Sequence, residues 1–312
     1  MRRILVVRLG AMGDILHALP AAASLRGSGE ARLTWAVKPQ FRALLDGGGA
    51  ADEIVEIRRE SPRALLEALR ALRRSRFDAA VDFQGLVQSA LLARLSAAER
   101  VWGFSRERLR EPAAALFYDE RVTTRAAHVV EMNLDLARAA GARERRIEFP
   151  LPPGRPEGEL PQGAFVLASP FAGWGAKQWP LEYYLELGRL LKGETGMPLV
   201  LNVSPAQAEA FAGQGGVRVH VSSIEGLIDA TRRAAAVVGV DSGPMHLAAA
   251  LGKPGVAIYG PTDPERNGPY SQRIRLLRAA GARTSWERLP APDESMLAIT
   301  PGQVFEALRG VL

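Results

Sequence analysis

The chain begins Met1-Arg2-Arg3-Ile4-Leu5-Val6-Val7-Arg8-Leu9-Gly10-Ala11-Met12-Gly13-Asp14, and a helical pattern of apolar residues follows over Ile15–Arg26. Four consecutive apolar residues predict a buried β-strand at Ile4–Val7. The glycines then predict a tight turn, because glycine lets the backbone approach a ligand closely. A strand that passes through such a turn into a helix is typical of a mostly parallel α/β sheet.

The same alternation of apolar runs and helical patterns continues through the first half of the chain. A helix is predicted to begin at Ser61-Pro62, because Ser61 suits the N-cap and Pro62 suits the first helical position. We therefore expect an α/β domain over residues 1–150. Its predicted strands are Ile4–Val7, Leu33–Val37, Glu53–Ile57, Ala79–Phe83 and Arg100–Gly103.

A change of composition separates the two halves. Residues 150–161 are rich in Pro and Gly and lack periodicity, which predicts an interdomain linker at residues 151–163. A second α/β domain is expected over residues 164–312, and we leave open whether its last helix, 301–311, packs back on the first domain. Its predicted strands are Phe165–Ala168, Leu199–Asn202, Arg218–Val221, Ala236–Val240 and Val256–Tyr259, with helices beginning near Pro180, Pro205, Ile224 and Pro244. Two such domains predict a cleft between them, with ligands at the carboxyl ends of the strands.

The composition restricts the kinds of site. The chain contains no Cys, which excludes disulfides, thiolate metal sites and thiol catalysis and fits a reducing, cytoplasmic setting. No metal site is expected, because the four histidines lack the spacing of ligands; they are His17, His128, His220 and His246. No apolar run is long enough for a transmembrane span or a signal peptide.

The net charge of +6 is unevenly distributed. Residues 1–150 contain 25 Lys and Arg against 19 Asp and Glu, whereas residues 151–312 contain 15 of each. Arg outnumbers Lys by 36 to 4. An Arg-rich genome explains the preference for Arg but not the asymmetry, so we expect the first half to face an anionic partner.

The first post-strand loop presents Asp14. By itself Asp14 is best interpreted as a helix cap; the alternative is a general base at the end of a strand. A dinucleotide site is not expected, because the loop lacks the third glycine of that fingerprint and the second strand ends at Lys38 rather than at an acid.

Three loops of the second half are candidates for ligand binding. Asp241-Ser242-Gly243-Pro244-Met245-His246 joins a strand to a helix whose N-terminus suits a phosphate, although its polar side chains are alternatively caps and a packed histidine. Lys177 lies in a glycine-rich turn that suits a diphosphate. Trp174 is a candidate for stacking on a ring, and Trp179 for a hydrophobic staple. Tyr259–Pro264 is a tight turn that turn chemistry alone explains.

Arginines cluster after the strands of the first half. Arg58 and Arg59 end one strand, and Arg106, Arg108 and Arg110 lie in another post-strand loop. Most such runs are solvated faces, but these two groups stand where α/β sheets bind ligands.

With these loops placed, the chain resembles the ADP-heptose:lipopolysaccharide heptosyltransferases of glycosyltransferase family 9, almost from end to end. The resemblance depends on an ordered set of motifs, each weak alone. They are Gly10–Pro20, Asp82–Ala90, Arg110–Tyr118, Lys177–Pro180, Asp241–Leu247 and Tyr259–Pro264. The segments Gln84-Gly85-Leu86 and Arg110-Glu111-Pro112 favour the first heptosyltransferase subfamily over the second.

The resemblance implies a GT-B fold, in which two Rossmann-like domains face each other across a cleft. It implies an inverting, metal-independent and cofactor-free transfer of heptose from ADP-heptose to Kdo of Kdo2-lipid A, at the cytoplasmic face of the inner membrane. Asp14 would be the catalytic base. The implied donor-binding residues are Lys177, Gln207, Asp241, Ser242, Gly243 and His246. The implied acceptor-binding residues are Gly13, Arg58, Arg59, Gln84 and Arg110.

The sequence departs from the family pattern at three places. Ala172 and Gly173 stand where relatives often carry hydroxyl residues, so backbone N–H groups would have to contact the phosphates. Gln207 or Glu209 would replace a nucleoside-binding Glu, and Gln88 stands where relatives often have Lys.

Two rival functions follow from these observations. One is a family-9 enzyme with another donor or acceptor. The other is a non-enzymatic protein whose basic half binds nucleic acid or a membrane; against nucleic acid, aromatic residues make up only 6% of the chain and form no stacking rows.

Overall fold

The computed structural model describes the whole chain except residues 28, 30, 212–216 and 286, and for residues 209–211 it describes only the backbone. The chain divides into two units, Met1–Pro152 and Pro153–Leu312. Each unit has its own six-stranded sheet. Within the described residues, no helix combines the length and apolar character that crossing a bilayer requires.

The first unit is an all-parallel sheet covered by helices. Its sheet order is β3-β2-β1-β4-β5-β6. The strands are β1 Arg2–Val7, β2 Ala31–Val37, β3 Glu53–Glu56, β4 Ala79–Asp82, β5 Arg100–Phe104 and β6 Glu120–Val122. The α-helices are α1 Met12–Arg26, α2 Pro62–Ser75, α3 Val87–Leu95 and α4 Val129–Ala139, with 3-10 helices at Pro39–Leu44, Arg106–Arg108 and Pro112–Phe117.

The second unit repeats this architecture. Its parallel sheet has the order β12-β11-β10-β7-β8-β9. The strands are β7 Val166–Ser169, β8 Leu199–Val203, β9 Arg218–Val221, β10 Ala236–Val240, β11 Gly255–Tyr259 and β12 Ile274–Arg278. The α-helices are α5 Leu181–Thr195, α6 Ile224–Arg233, α7 Gly243–Ala250, α8 Pro264–Asn267, α9 Glu294–Leu297 and α10 Pro301–Arg309, with 3-10 helices at Gly175–Lys177 and Pro205–Phe211.

Both sheets have the doubly wound strand order of the Rossmann fold. In each, the first strand of the unit lies beside the fourth, and the chain leaves these two strands in opposite directions. The resulting crevices are β1/β4 in the first unit and β7/β10 in the second. Ligands of open α/β sheets bind at such crevices, outside the carboxyl ends of the strands.

Local chemistry explains where the predicted elements begin. The Ser61 side chain accepts a hydrogen bond from the Ala64 N–H at 3.2 Å, which confirms the predicted N-cap of α2. The central strands are apolar throughout because helices cover both faces of a parallel sheet. Ile4–Val7 and Ala236–Val240 are accordingly almost completely buried.

The predicted strands are all present, with ends that differ by at most a few residues, but two edge strands were not predicted. β6 is short, and β12 (Ile-Arg-Leu-Leu-Arg) is only partly buried, so neither has the apolar run of a central strand. The helix predicted near Pro205 is a 3-10 helix, Pro205–Phe211.

Most of the predicted linker is part of the second unit. The Arg155 N–H donates to the Glu225 carbonyl at 3.1 Å, and Glu157 accepts from the Ser223 N–H at 2.7 Å. A Cβ at Gly154 would lie 2.6 Å from the Asp229 nitrogen, so this close approach requires glycine. Residues 153–158 therefore pack against α6 as part of the second unit.

The last helix also belongs to the second unit. Val304, Phe305, Ala307 and Leu308 of α10 are buried in the same apolar core as α5 and β11. The apolar face of α10 therefore packs inside its own unit.

Candidate functional site

The first crevice presents Asp14 in the first turn of α1. Its Oδ2 accepts a hydrogen bond from the Ala11 N–H at 3.1 Å, and its Oδ1 lies 2.6 Å from Nη2 of Arg8. The Asp14 side chain remains 45% exposed. Asp14 is therefore not the N-cap of α1, which is Ala11; it stands three residues further on and accepts from the backbone N–H of that N-cap residue.

Arg8 was not recognised from the sequence. It follows β1 directly, its side chain is 9% exposed, and its Nη1 donates to the Phe83 carbonyl at 2.6 Å. Phe83 follows β4, so the guanidinium bridges the two central strands. The available signal was a charged residue directly after the buried apolar run Ile4–Val7, which a packed sheet tolerates only when the charge has partners.

Gln84 lies in the same crevice, where it connects the two loops. Its Oε1 accepts from the Leu9 N–H at 2.8 Å, and its own N–H donates to Asp82 Oδ1 at 2.9 Å. Buried Asp82 also accepts from Ser89 Oγ at 2.8 Å and from the Tyr118 hydroxyl at 2.7 Å. Burial raises the pKa of Asp82, while these hydrogen bonds lower it in part. The loop after β4 is therefore held in place by a network of buried hydrogen bonds.

Two glycines shape the start of α1. Gly10 has φ +155°, and a Cβ there would lie 2.6 Å from Cε2 of Phe41, so a side chain at this position would clash with the Phe41 ring. Gly13 lies in the first turn of the helix beside Asp14 and is partly exposed.

The three predicted acceptor arginines lie on the two sides of this crevice, at separate positions along the sheet. Arg58 and Arg59 follow β3, two strands from β1, or about 10 Å along the sheet. Arg58 is exposed and pairs with Glu56, Nη2 to Oε2, at 2.6 Å. Arg110 is exposed in the loop after β5, on the other side of β4. All three stand at the carboxyl edge of the sheet.

The second crevice holds a buried charged cluster. Lys177, from the loop after β7, forms an ion pair with Oδ2 of Asp241, which follows β10. Nε2 of His246 lies 3.4 Å from Asp241 Oδ1, and so does the hydroxyl of Tyr259. Lys177 and Asp241 are 12% and 8% exposed. The structure thus brings together three predicted donor residues and adds Tyr259, which the sequence assigned only to a turn.

The electrostatics of the cluster favour an ionised Asp241. Burial alone would raise the pKa of this carboxyl, but the hydrogen bond with His246 and the charge of Lys177 outweigh burial and hold the pKa well below its usual range. Burial and the Asp241 charge raise the pKa of the Tyr259 hydroxyl, which stays protonated.

Trp174 and Trp179 have different surroundings. Nζ of Lys177 lies 3.9 Å from the centre of the Trp174 ring, a cation–π contact. Trp179 precedes the N-cap Pro180 and packs edge-to-face on Tyr184 at 4.8 Å, one turn into α5. This pair is the predicted hydrophobic staple, which is confirmed.

Ser242 and Gly243 form the N-terminus of α7. Ser242 is the N-cap residue, yet its side chain makes no capping hydrogen bond. Its Oγ is buried and has no hydrogen-bond partner among the described residues. Together with the positive end of the helix dipole, this group offers an uncommitted hydroxyl to an anion.

The side chain of Gln207 is partly engaged in hydrogen bonds within its own turn. Its Oε1 accepts from both the N–H of Ser204, at 3.1 Å, and its hydroxyl, at 2.8 Å. Its position after β8 places it at the carboxyl edge beside β7. The side chain of Glu209, the alternative candidate, lies outside the described residues.

Comparison with known proteins identifies the family. Residues 65–288 match the model of glycosyltransferase family 9 (heptosyltransferase). The chain belongs to this family. Lys177 and Asp241 lie inside the matched range, whereas Asp14, Arg58 and Arg59 precede it.

Relatives of this heptosyltransferase match it over its whole length. Lipopolysaccharide heptosyltransferase 1 of Escherichia coli K12 is 30% identical over 99% of this chain and 100% of the relative. The solved structure of the E. coli heptosyltransferase WaaC with ADP has a TM-score of 0.80 at 27% identity, covering 99% and 100% of the two chains. A second WaaC structure, with ADP-2-deoxy-2-fluoro heptose, gives a TM-score of 0.78 at 27% identity, covering 99% and 100%. The two Rossmann-like units are accordingly those of a GT-B glycosyltransferase.

Proposed function

We propose that this family-9 enzyme transfers L-glycero-D-manno-heptose from ADP-heptose to Kdo of Kdo2-lipid A, with inversion and without a metal ion or other cofactor. The observation that carries the proposal is the content of the two crevices. The first holds an exposed carboxylate, Asp14, and the second holds a lysine and an open helix N-terminus. A base and an anion-binding site are the two requirements of direct glycosyl transfer from a nucleoside diphosphate.

In the proposed reaction, Asp14 accepts the proton of a Kdo hydroxyl. The hydroxyl oxygen bonds to the anomeric carbon of the heptose while the bond between that carbon and the diphosphate oxygen breaks. ADP leaves with the electron pair. A single displacement of this kind inverts the anomeric centre.

Lys177 and the N-terminus of α7 would stabilise the leaving ADP. A lysine ammonium has three N–H donors, so Lys177 can keep its contact with Asp241 and still donate to a phosphate oxygen. The Ser242 hydroxyl and the backbone N–H of Gly243, both at the N-terminus of α7, add neutral hydrogen-bond donors. Asp241 and His246 hold the lysine in place, and Gln207 is assigned to the nucleoside.

The acceptor would bind to the first unit. Arg58, Arg59 and Arg110 are exposed cations at the carboxyl edge of the sheet that carries Asp14. Kdo carboxylates and lipid A phosphates are anions that Arg binds through paired hydrogen bonds. Gly13 and Gln84 would line the approach to Asp14.

The acceptor is a lipid, so we further propose peripheral contact with the cytoplasmic face of the inner membrane. α2, α3 and the 3-10 helix Pro112–Phe117 cover one side of the first sheet through a shared apolar core. Their outer surface, here called the leucine face, exposes Leu66, Leu91 and Leu116 by 46%, 39% and 76%. α2 adds four arginines against one Glu67; they are Arg63, Arg70, Arg73 and Arg74. Apolar side chains among cations suit an anionic lipid surface better than nucleic acid.

The first prediction tests the base. Asp14→Asn should lower kcat by about a hundredfold or more, because the amide cannot accept the proton. ADP affinity should stay native, since the ADP-binding residues lie in the second unit. The measurement is turnover of ADP-heptose with Kdo2-lipid A, with calorimetry of ADP binding as the control. Near-native turnover by Asp14→Asn would refute the assignment.

A second candidate is another nucleotide-sugar donor for the same fold. The observation that favours it is the engagement of Gln207 with Ser204, together with the absence of hydroxyls at Ala172 and Gly173. A thermal-shift comparison of ADP, UDP and GDP separates the candidates. Stabilisation by UDP or GDP above that by ADP would favour the second.

A further inference from the structure

Arg8 places a permanent positive charge in the interior of the first unit. Its side chain is 9% exposed, and a guanidinium does not lose its proton in proteins. Burying such a charge costs free energy unless paired groups offset it. An apolar residue would fill the end of β1 at a lower free-energy cost, so packing alone does not explain a buried arginine at this position.

The contacts of Arg8 hold its guanidinium in one orientation. Nη1 donates to the Phe83 carbonyl at 2.6 Å, and Nη2 contacts Asp14 Oδ1 at 2.6 Å. Its Nε–H is buried and has no hydrogen-bond acceptor in the part of the chain that the structure describes. The guanidinium is therefore held between the end of β4 and the start of α1 through Nη1 and Nη2.

Asp14 is held through both of its carboxylate oxygens. Arg8 contacts one carboxylate oxygen and the Ala11 N–H contacts the other, at 2.6 and 3.1 Å. The carboxylate plane is thereby fixed while the side chain stays 45% exposed. Each oxygen keeps a lone pair that can face an incoming hydroxyl.

We propose that Arg8 is a positioning residue for Asp14. It aims the carboxylate at the acceptor hydroxyl, and its charge offsets the repulsion between an ionised base and an anionic acceptor. The inference rests on the proposed function, in which the acceptor proton passes to Asp14. Arg8 neither gains nor loses a proton in that step.

The test compares Arg8→Met, which keeps the length and loses the charge, with Arg8→Lys, which keeps the charge. Arg8→Met should lower kcat roughly ten- to a hundredfold, as misplaced catalytic groups do, and raise the acceptor KM. Arg8→Lys should recover a large part of both. Donor KM and ADP affinity should remain native in each variant, which shows that the protein is folded.

Arg32→Met is the matched control. Arg32 forms an exposed ion pair with Glu53 at 2.8 Å, at the amino end of β2 and away from the crevice. Loss of this arginine should leave kcat and both KM values native.

A double variant separates positioning from a general structural role. If Arg8 acts through Asp14, Arg8→Met in the Asp14→Asn background should not lower kcat further, whereas independent effects multiply. The inference is overturned by an Arg8→Met kcat within about twofold of native, by an Arg8→Lys no better than Arg8→Met, or by a further fall in the double variant. An active Asp14→Asn would instead refute the base; an inactive Asp14→Asn with a native Arg8→Met refutes only the role of Arg8.

Discussion

At the scale of single residues, Lys177 is central to the proposed donor site. It lies between the buried carboxylate of Asp241 and the face of the Trp174 ring, at the end of β7. A buried carboxylate without its cation would repel a diphosphate. In the proposed donor site, the lysine would therefore both attract the diphosphate and neutralise a carboxylate that would oppose it.

We predict that Lys177→Ala weakens ADP binding by about 1–3 kcal/mol, the usual range for a lost charge-assisted hydrogen bond. The effect should lie toward the upper end, because Asp241 then stays buried without its cation. Isothermal calorimetry measures the change. Lys192→Ala is the control, since Lys192 is an exposed lysine that donates to the Gly196 carbonyl at the end of α5. Native ADP affinity in Lys177→Ala would remove this residue from the donor site.

At the scale of secondary-structure elements, the sheet explains why the three proposed acceptor arginines lie along one of its edges. Parallel strands bring all their carboxyl ends to one edge, so Arg58, Arg59 and Arg110 share an edge with Asp14 although they are separated in sequence. Helical spacing would instead have spread them around a solvated face.

We predict that the double variant Arg58→Ala/Arg59→Ala raises the acceptor KM at least about tenfold and leaves the donor KM native, because charge-assisted contacts to the acceptor are lost. Steady-state kinetics with each substrate varied in turn measures this. Added salt should reproduce the effect only in part, since screening acts mainly on exposed charges.

The control for this variant is Arg32→Ala/Arg100→Ala. It removes the same charge from ion-paired positions at the amino ends of β2 and β5, the opposite edge of the sheet. Equal changes in the two double variants, or a native acceptor KM in the first, would support a solvated basic face instead.

At the scale of the whole molecule, the charge and the exposed apolar residues are distributed between the units. The first unit carries the net charge, and its leucine face combines three exposed leucines with the arginines of α2. The second unit also exposes leucines, among them Leu276, Leu297 and Leu312, but its net charge is zero.

We predict that the protein binds vesicles containing phosphatidylglycerol and not vesicles of phosphatidylcholine alone. Replacing Leu66, Leu91 and Leu116 together by Gln should reduce binding at least about tenfold, because each of these exposed leucines would bury apolar area in the membrane worth on the order of 1 kcal/mol. Flotation measures the bound fraction. The matched control replaces Leu276, Leu297 and Leu312 by Gln and should float like the native protein. Native flotation of the first triple variant would place the membrane contact elsewhere.

The sequence by itself determined the strand–helix alternation, the division into two α/β units and the post-strand loops that are candidates for chemistry. These features are local: apolar runs, caps and turns depend on neighbouring residues. Ser61, Asp14, Trp179, Lys177 and Asp241 were each named from such signals. The edge strands β6 and β12 were missed because an edge strand needs no continuous apolar run.

Only the tertiary structure decided which residues meet. Arg8 reaches Phe83 because β1 lies beside β4, a pairing that joins positions 75 residues apart. The same reason brings Tyr259 to Asp241 and packs residues 153–158 on α6. Sequence reveals which side chains stand at the ends of strands, but the order of the strands in the sheet determines which of them share a crevice.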